Sequence, residues 1–338
     1  MSAPTCHAQT GPYGDDLVIG ETIAPAPAIT IDHGVAAYFQ ALCGDPSPLS
    51  LSAALSEAVT GSPVRLANAG LVLQIAIGQS TVATKIVIAN LFYRDVTVHR
   101  QVHLGDTLTT QVTPTARAYT RDTGKGRRAK VLLSIETRDQ HGRLVASLER
   151  LALLPLRSQD DLVEVGEIGA ATPSRSLDDF VASVPADWDL SQIDRGPLPA
   201  AGFAAADPLR DSVSDALGLV RLTQNLAAAH RDPARGQQGR RLVYGGHVIA
   251  LAQASLSRLV PSAVTILGWR SCDHLSPTFE DDLLGFAVEL EDTVAVPGGV
   301  VAGMRVRGQA HRPGQDPVDV IDFRPVALLA GISGGLYV

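Results

Sequence analysis

The stretch Gly239-Arg-Arg-Leu-Val-Tyr-Gly-Gly-His-Val-Ile-Ala-Leu-Ala252 decides how this chain is read. A glycine pair opens a run of small and apolar residues. Such a run, apolar on all sides, predicts a helix buried in the middle of a domain. The same grammar occurs earlier, where Leu66-Ala-Asn-Ala-Gly70 opens the apolar segment Leu71 to Ile77, 176 residues upstream of Leu242-Val-Tyr-Gly-Gly246. Two further markers repeat in the same order. Gly105-Asp-Thr-Leu108 lies 175 residues before Glu280-Asp-Asp-Leu283, and Ala152-Leu-Leu154 lies 175 before Ala327-Leu-Leu329. Three markers at nearly one offset predict two repeats of one domain.

Working outward, each repeat begins with a helix-like stretch, Gly34–Leu42 in the first and Asp211–Ala229 in the second. After the glycine-opened segment come strand-like runs. In the first repeat these are Lys85–Tyr93, Thr107–Ala118, Lys130–Arg138 and Leu144–Leu154. In the second they are Ala263–Arg270, Leu283–Leu290, Gly298–Arg307 and Val318–Leu329. One helix followed by antiparallel strands predicts an α+β domain whose sheet wraps the helix. The expected division is 1–157, a linker over 158–195, and 196–338. The linker is rich in Asp, Ser, Pro and Ala, with one short helix expected at Ser176–Val184. Joining the two sheets edge to edge would remove exposed strand edges.

Composition narrows the function. The chain has 338 residues and a net charge of −7, with 28 Lys and Arg scattered rather than clustered, which argues against a nucleic-acid partner. No apolar stretch approaches the roughly 18–20 residues of a membrane span. Met1 to His7 lacks the basic and apolar regions of a signal peptide. Cys6, Cys43 and Cys272 suit neither a disulfide framework nor a zinc site, so a cytoplasmic protein is expected. His99 and His103 are four apart, but in a strand context they lack the helix that makes this spacing a metal site, and no metal or cofactor is expected. The Ala-, Gly- and Arg-rich composition is common in products of GC-rich bacterial genomes and says nothing about chemistry.

Read as a family, the sequence resembles the MaoC-like, R-specific enoyl-CoA hydratases, and more narrowly their fused double-hotdog relatives, the mesaconyl-CoA (2-methylfumaryl-CoA) hydratases. In the second repeat the resemblance rests on Arg221-Leu-Thr-Gln-Asn225 with His230, on Gly239 to Ala252, on Pro277-Thr-Phe-Glu-Asp281 and on Val320-Ile-Asp-Phe323. In the first it rests on Asp15 to Gly20, Gly44-Asp-Pro-Ser-Pro-Leu-Ser50, Ala89-Asn-Leu-Phe-Tyr93 and Gly105-Asp-Thr-Leu108. It implies a double hotdog, an acyl-CoA thioester as partner, and reversible addition of water to a 2-enoyl-CoA. A homodimer is the assembly expected.

The family's hydratase motif, Gly-Asp-x-Asn-Pro-(aliphatic)-His, places an Asp and a His five apart to hold one water. Hydration needs a base for that water, an acid for C2, and donors for the enolate on the thioester oxygen. Neither repeat keeps the motif. The first has Asp45 but Ser47 for Asn and Ser50 for His. The second has Asn225 and His230, again five apart, with Ala227 and Ala228 between. His230 and Asn225 are therefore the expected catalytic residues, the imidazole titrating near neutrality and the amide orienting water. Gln224, Tyr244, Gly245, Gly246, His247 and Asp45 are the expected substrate-binding residues, the glycine amides forming the thioester-carbonyl hole. Gly-Lys-Gly-Arg-Arg at 124–128 is either a hairpin loop or a contact for CoA phosphates. Because the Asp–His pair is intact in neither repeat, a non-catalytic acyl-CoA-binding protein, a structural partner subunit and a hotdog thioesterase stay open as alternatives.

Overall fold

A computed structural model describes residues 11–122, 124, 126–170, 175–193 and 196–331. Cys6, His7 and Lys125 lie outside the described residues. Ten strands form one antiparallel sheet. They are β1 (Ile29–Thr30), β2 (Ala89–Val98), β3 (Thr107–Tyr119), β4 (Ala129–Arg138), β5 (Leu144–Leu154), β6 (Ala204–Ser212), β7 (Ala263–His274), β8 (Leu283–Val296), β9 (Gly299–His311) and β10 (Val318–Ala330). The helices are α1 (His33–Cys43), α2 (Pro48–Leu51), α3 (Ala53–Thr60), α4 (Ala69–Gln79), α5 (Asp178–Val181), α6 (Ala216–Leu222) and α7 (Gly245–Leu259).

The strand order is β1-β3-β4-β5-β2-β7-β10-β9-β8-β6. Read inward from either edge, each repeat contributes its strands in the same order, and β2 meets β7 in the middle. This is the relation that a pseudo-two-fold axis at the junction produces, and the architecture is the expected α+β double hotdog. At the junction Tyr93 lies opposite Cys272 and Thr97 opposite Gly268. A Cβ on Gly268 would stand 2.2 Å from the Val96 carbonyl oxygen, so only glycine permits this crossing.

Every residue of α4 is buried, and α7 is buried without a break from Gly246 to Leu256. These are the two wrapped helices, and their largely apolar sequence follows from having little solvent face. Along the strands the inner-face residues alternate with outer ones. In β5, Ala146, Leu148, Ala152 and Leu154 belong to the main core, whereas Leu151 packs on the opposite face with Phe92, Ala116 and Leu132. The segment between the repeats also packs on the sheet. Leu177, Phe180, Leu190 and Ile193 form a second cluster with Val264, Leu267, Val326 and Leu328. Its helix is the single turn α5, shorter than the Ser176–Val184 expected.

The stretch Asp211–Ala229 departs from the helix expected there. Its start closes strand β6, α6 covers only Ala216–Leu222, and Gln224 takes a left-handed conformation with φ +57° that ends the helix. Asn225 then accepts from its own chain two residues on, at Ala227 N–H, over 2.9 Å. That local side-chain turn competes with helix, and it frees the following residues for a different use.

Candidate active site

The segment after α6 is held against the first repeat. Gly78 of α4 has no side chain, and a Cβ there would stand 2.2 Å from the Thr223 carbonyl oxygen. Leu226 N–H donates to Thr81 Oγ1 at 2.7 Å, and Ala228 N–H donates to the Lys85 carbonyl at 2.9 Å. Asn225 and His230 are thereby suspended over a cavity of about 240 Å³. The first repeat supplies one wall, including Ile77, Asn90, Tyr93 and Arg150. The second supplies Asn225, His230, Tyr244, Gly245 and His274. The cavity therefore lies where the halves join.

His230 is half-buried, and its Nδ1 lies 3.2 Å from the Leu242 carbonyl oxygen. A carbonyl can only accept, so Nδ1 carries the proton and Nε2 presents a lone pair. Burial lowers the imidazole pKa to about 4; the nearby Arg150 and His274 act in the same direction, and the Leu242 bond opposes them. This corrects the expectation of titration near neutrality. The Tyr244 ring is 5.4 Å from the His230 ring, centroid to centroid. Tyr244 also stands beside the Asn225 amide, and burial holds its phenol protonated far above neutral pH.

Tyr244 is the N-cap residue of α7 and makes no side-chain cap. In the first repeat the corresponding residue, Asn68, caps α4 by accepting from Gly70 N–H at 2.7 Å. The two helix starts thus differ in one respect that bears on chemistry. The first has an orphan donor satisfied by its side-chain cap, whereas no side chain caps the second, whose first residue, Gly245, lines the cavity. A Cβ on Gly245 would come within 2.6 Å of His274 Nε2.

Of the other expected binding residues, Gly246 is not on the cavity wall; it packs under the Tyr244 ring and Gln74. His247 is fully buried on α7, beside the Leu42 carbonyl, with its pKa lowered to about 4 by burial. Gln224 meets Gln79 at 3.5 Å, away from the lining. Asp45 belongs to the first repeat's equivalent position. Its Oδ1 accepts from Ser47 N–H at 3.0 Å, the same two-residue turn as at Asn225. Its Oδ2 accepts from Asn68 at 2.8 Å and from Gln253 at 2.7 Å, and the residue is 1% exposed. Gln253 comes from the second repeat's central helix and also donates to Asn68 Oδ1 at 3.0 Å. Ser50, in the position of the motif histidine, donates to Ser47 O.

Arg150, Tyr93, Asn90 and His274 were not anticipated as lining residues. The signal for Arg150 was present in Leu144–Leu154, where adjacent Glu149 and Arg150 break an otherwise apolar run. Strand alternation must turn one of them inward. A wider depression of about 520 Å³ lies over β6, β8 and β9. It is lined by Asp207, Arg210, Arg307, His311 and Asp319 and has no helix start. Among the described residues no three His, Cys, Asp or Glu converge as a metal site, and no helix is long and apolar enough to cross a membrane.

No family model matches the chain. It is 26% identical over 326 residues to the mesaconyl-CoA hydratase of Cereibacter sphaeroides, covering 91% of each chain. It is also 26% identical over 364 residues to the β-methylmalyl-CoA dehydratase of Chloroflexus aurantiacus, covering 97% of this chain and 99% of that one. Among solved structures, a conserved hypothetical protein of Mycobacterium tuberculosis with a double hotdog fold superposes with a TM-score of 0.83. The two are 37% identical, and the match covers 94% of this chain and 98% of the other.

Proposed function

Since the chain belongs to the MaoC-like double-hotdog family, we propose that it catalyses reversible hydration of a 2-enoyl-CoA thioester in the cavity between its two repeats. The observation that carries this reading is the pairing of a neutral imidazole with an uncapped helix start on one cavity. Water held between His230 Nε2 and the Asn225 amide attacks C3 as Nε2 takes its proton. The electron pair of the double bond moves onto the thioester oxygen, where the Gly245 N–H at the start of α7 meets the enolate. The imidazolium then returns its proton to C2, and the C2–H and C3–OH bonds form on one face.

Asn225 positions and does not exchange protons, because an amide has no useful basicity. Tyr244, still protonated, donates at the cavity floor. The first repeat contributes wall residues and no chemistry, since Asp45 is sealed by Asn68 and Gln253. The relatives' names direct the first assays to mesaconyl-CoA and β-methylmalyl-CoA. The thioesterase alternative is disfavoured by the lining of the cavity, which has no carboxylate among the described residues. The reading takes 1–157 and 196–338 as the two hotdogs, joined by 158–195. It also takes the protein to be cytosolic, on its scattered cysteines and acidic balance alone.

Loss or gain of the conjugated thioester absorbance, with crotonyl-CoA and mesaconyl-CoA as substrates, tests the reaction. His230→Ala is expected to lower turnover by about 10²-fold or more, the scale of a lost acid–base group. Asn225→Ala is expected to cost less, and Asp45→Asn least. Release of free thiol in place of the absorbance change, or full activity in His230→Ala, would end this reading.

A further inference from the structure

His274 lines the cavity from the end of β7, on the same face as the core residue Cys272 two positions earlier. Among the described residues neither of its ring nitrogens makes a hydrogen bond, whereas His230 meets the Leu242 carbonyl and His99 meets Ser147 Oγ. Polar atoms drawn away from bulk water without a partner are costly to keep. An unpartnered imidazole on a cavity wall therefore points to a group that the cavity takes in. The ring turns its Nε2 edge to the start of α7. A Cβ on Gly245 would stand 2.6 Å from Nε2 and 2.7 Å from Cε1. Gly245 and the His274 ring thus border one corner of the cavity.

The first repeat differs at each of these positions. The repeat offset sets Ala69 against Gly245 and Val98 against His274. Strand register agrees, because Val98 lies opposite Ala146 and His274 lies opposite Ile321, and Ala146 and Ile321 are themselves related by the repeat offset. Val98 is 1% exposed and packs in the main core. The strand position thus accepts an aliphatic side chain, and the fold does not require a histidine there. Glycine in place of alanine at the helix start gives the imidazole the room it occupies.

We propose that His274 is a further catalytic residue, its Nε2–H donating to the thioester oxygen beside the Gly245 N–H, so that side chain and backbone together form the hole for the enolate. This deepens the hydratase reading and rests on its assignment of the thioester carbonyl to the start of α7. An enolate oxygen has more than one lone pair, and a single backbone N–H leaves it partly unserved. Preorganised donors converging from two directions stabilise it further. With no protein partner to fix its tautomer, the His274 ring is free to carry its one proton on Nε2. Burial lowers its pKa to about 4, so at neutral pH it is an uncharged donor and leaves proton transfer to His230. No proton changes hands at His274. Its hydrogen bond strengthens as the electron pair of the double bond moves onto the oxygen, and relaxes when C2 is protonated. The other use of this imidazole would be to exchange a proton with C2, which would leave the carbonyl of a bound saturated ester untouched.

Infrared difference spectra of butyryl-CoA, isotope-labelled at the thioester carbonyl and bound to the protein, separate these uses. Hydrogen bonds to a carbonyl lower its stretching frequency, and this ester has no double bond to hydrate. The unaltered protein is expected to lower the stretch. His274→Val, which installs the first repeat's own residue, should reverse part of that shift and leave the part due to Gly245. His274→Gln, whose amide N–H can reach the place of Nε2, should restore it. Crotonyl-CoA hydration should follow the same order, with kcat reduced about 10²-fold in His274→Val, the scale of a lost hole donor, and about tenfold in His274→Gln. Butyryl-CoA affinity should change less than about fivefold in either variant, because the bond reaches full strength only with the enolate. An identical stretch in the unaltered protein and in His274→Val would overturn the proposal, and a loss of kcat alongside it would favour the proton-exchange role. Unchanged kcat in His274→Val would overturn it as well. If the unaltered protein neither bound butyryl-CoA nor hydrated crotonyl-CoA, the hydratase reading itself would fall, and this one with it.

Discussion

The Leu242 carbonyl fixes the protonated nitrogen of His230, and burial then sets the pH range in which the other nitrogen can act. A base lowered to about 4 is unprotonated through the whole neutral range. The groups that set this value are the desolvating walls, Arg150 and His274, opposed only by the Leu242 bond. The free-enzyme profile of kcat/KM should accordingly be flat above about pH 5 and fall on the acid side through about pH 4, instead of breaking at 6–7 as an unperturbed histidine would. A limb that stayed at pH 6–7 in the unaltered protein would show that the titrating group is not this imidazole. From the sequence, the spacing of Asn225 and His230 was legible because it keeps the five-residue step of a known motif. The tautomer and the pKa were not, because they depend on Leu242, Arg150 and His274, which lie 12, 80 and 44 positions away in the chain.

At the scale of elements, the strands and central helices were legible because alternation and a predominance of small and apolar residues record burial directly. The segment from Asp211 to Ala229 was misjudged for a physical reason. Its alanines and leucines favour helix, but the left-handed Gln224 and the Asn225 turn end it, held there by contacts with the other repeat. Gly78 is the hinge of that docking. Its missing side chain admits the Thr223 backbone, so Gly78→Ala must displace either α4 or the Asn225 segment. Overpacking of this kind costs about 1–3 kcal/mol. Gly78→Ala should therefore lower the denaturation midpoint and also reduce turnover at temperatures where the protein remains folded, because Asn225 and His230 lie two and seven residues past the clash. Unchanged turnover with an unchanged midpoint would mean that the close approach does not position the site. Gly70, the other glycine of α4, abuts Gln253 side-chain atoms and could yield by side-chain movement.

Across the whole molecule, duplication followed by divergence has left one cavity open and the other filled. Gln253 and Asn68 close over Asp45 in the first repeat, while the second keeps its helix start uncapped beside His230. The same burial that shapes the open site leaves three histidines, His230, His247 and His274, lowered to about 4. Each takes up its proton in the unfolded chain near the ordinary value of 6.5 but resists it when folded. Between these values the unfolded state binds more protons, so stability rises with pH across that window. The stabilisation is fully present above about pH 6.5 and is lost progressively as pH falls to about 4. For His247, which is fully buried, a shift of that size corresponds to roughly 3 kcal/mol. Urea midpoints measured at pH 7, 6 and 5 should therefore fall steeply. Lowering the pH from 7 to 5 should cost less in His247→Leu than in the parent, even if the substitution lowers the midpoint at pH 7. His247 sits on α7 away from the cavity lining, so this flattening should occur without any movement of the acid limb of kcat/KM. A parallel loss of midpoint in parent and variant would show that His247 does not carry the acid sensitivity of the fold.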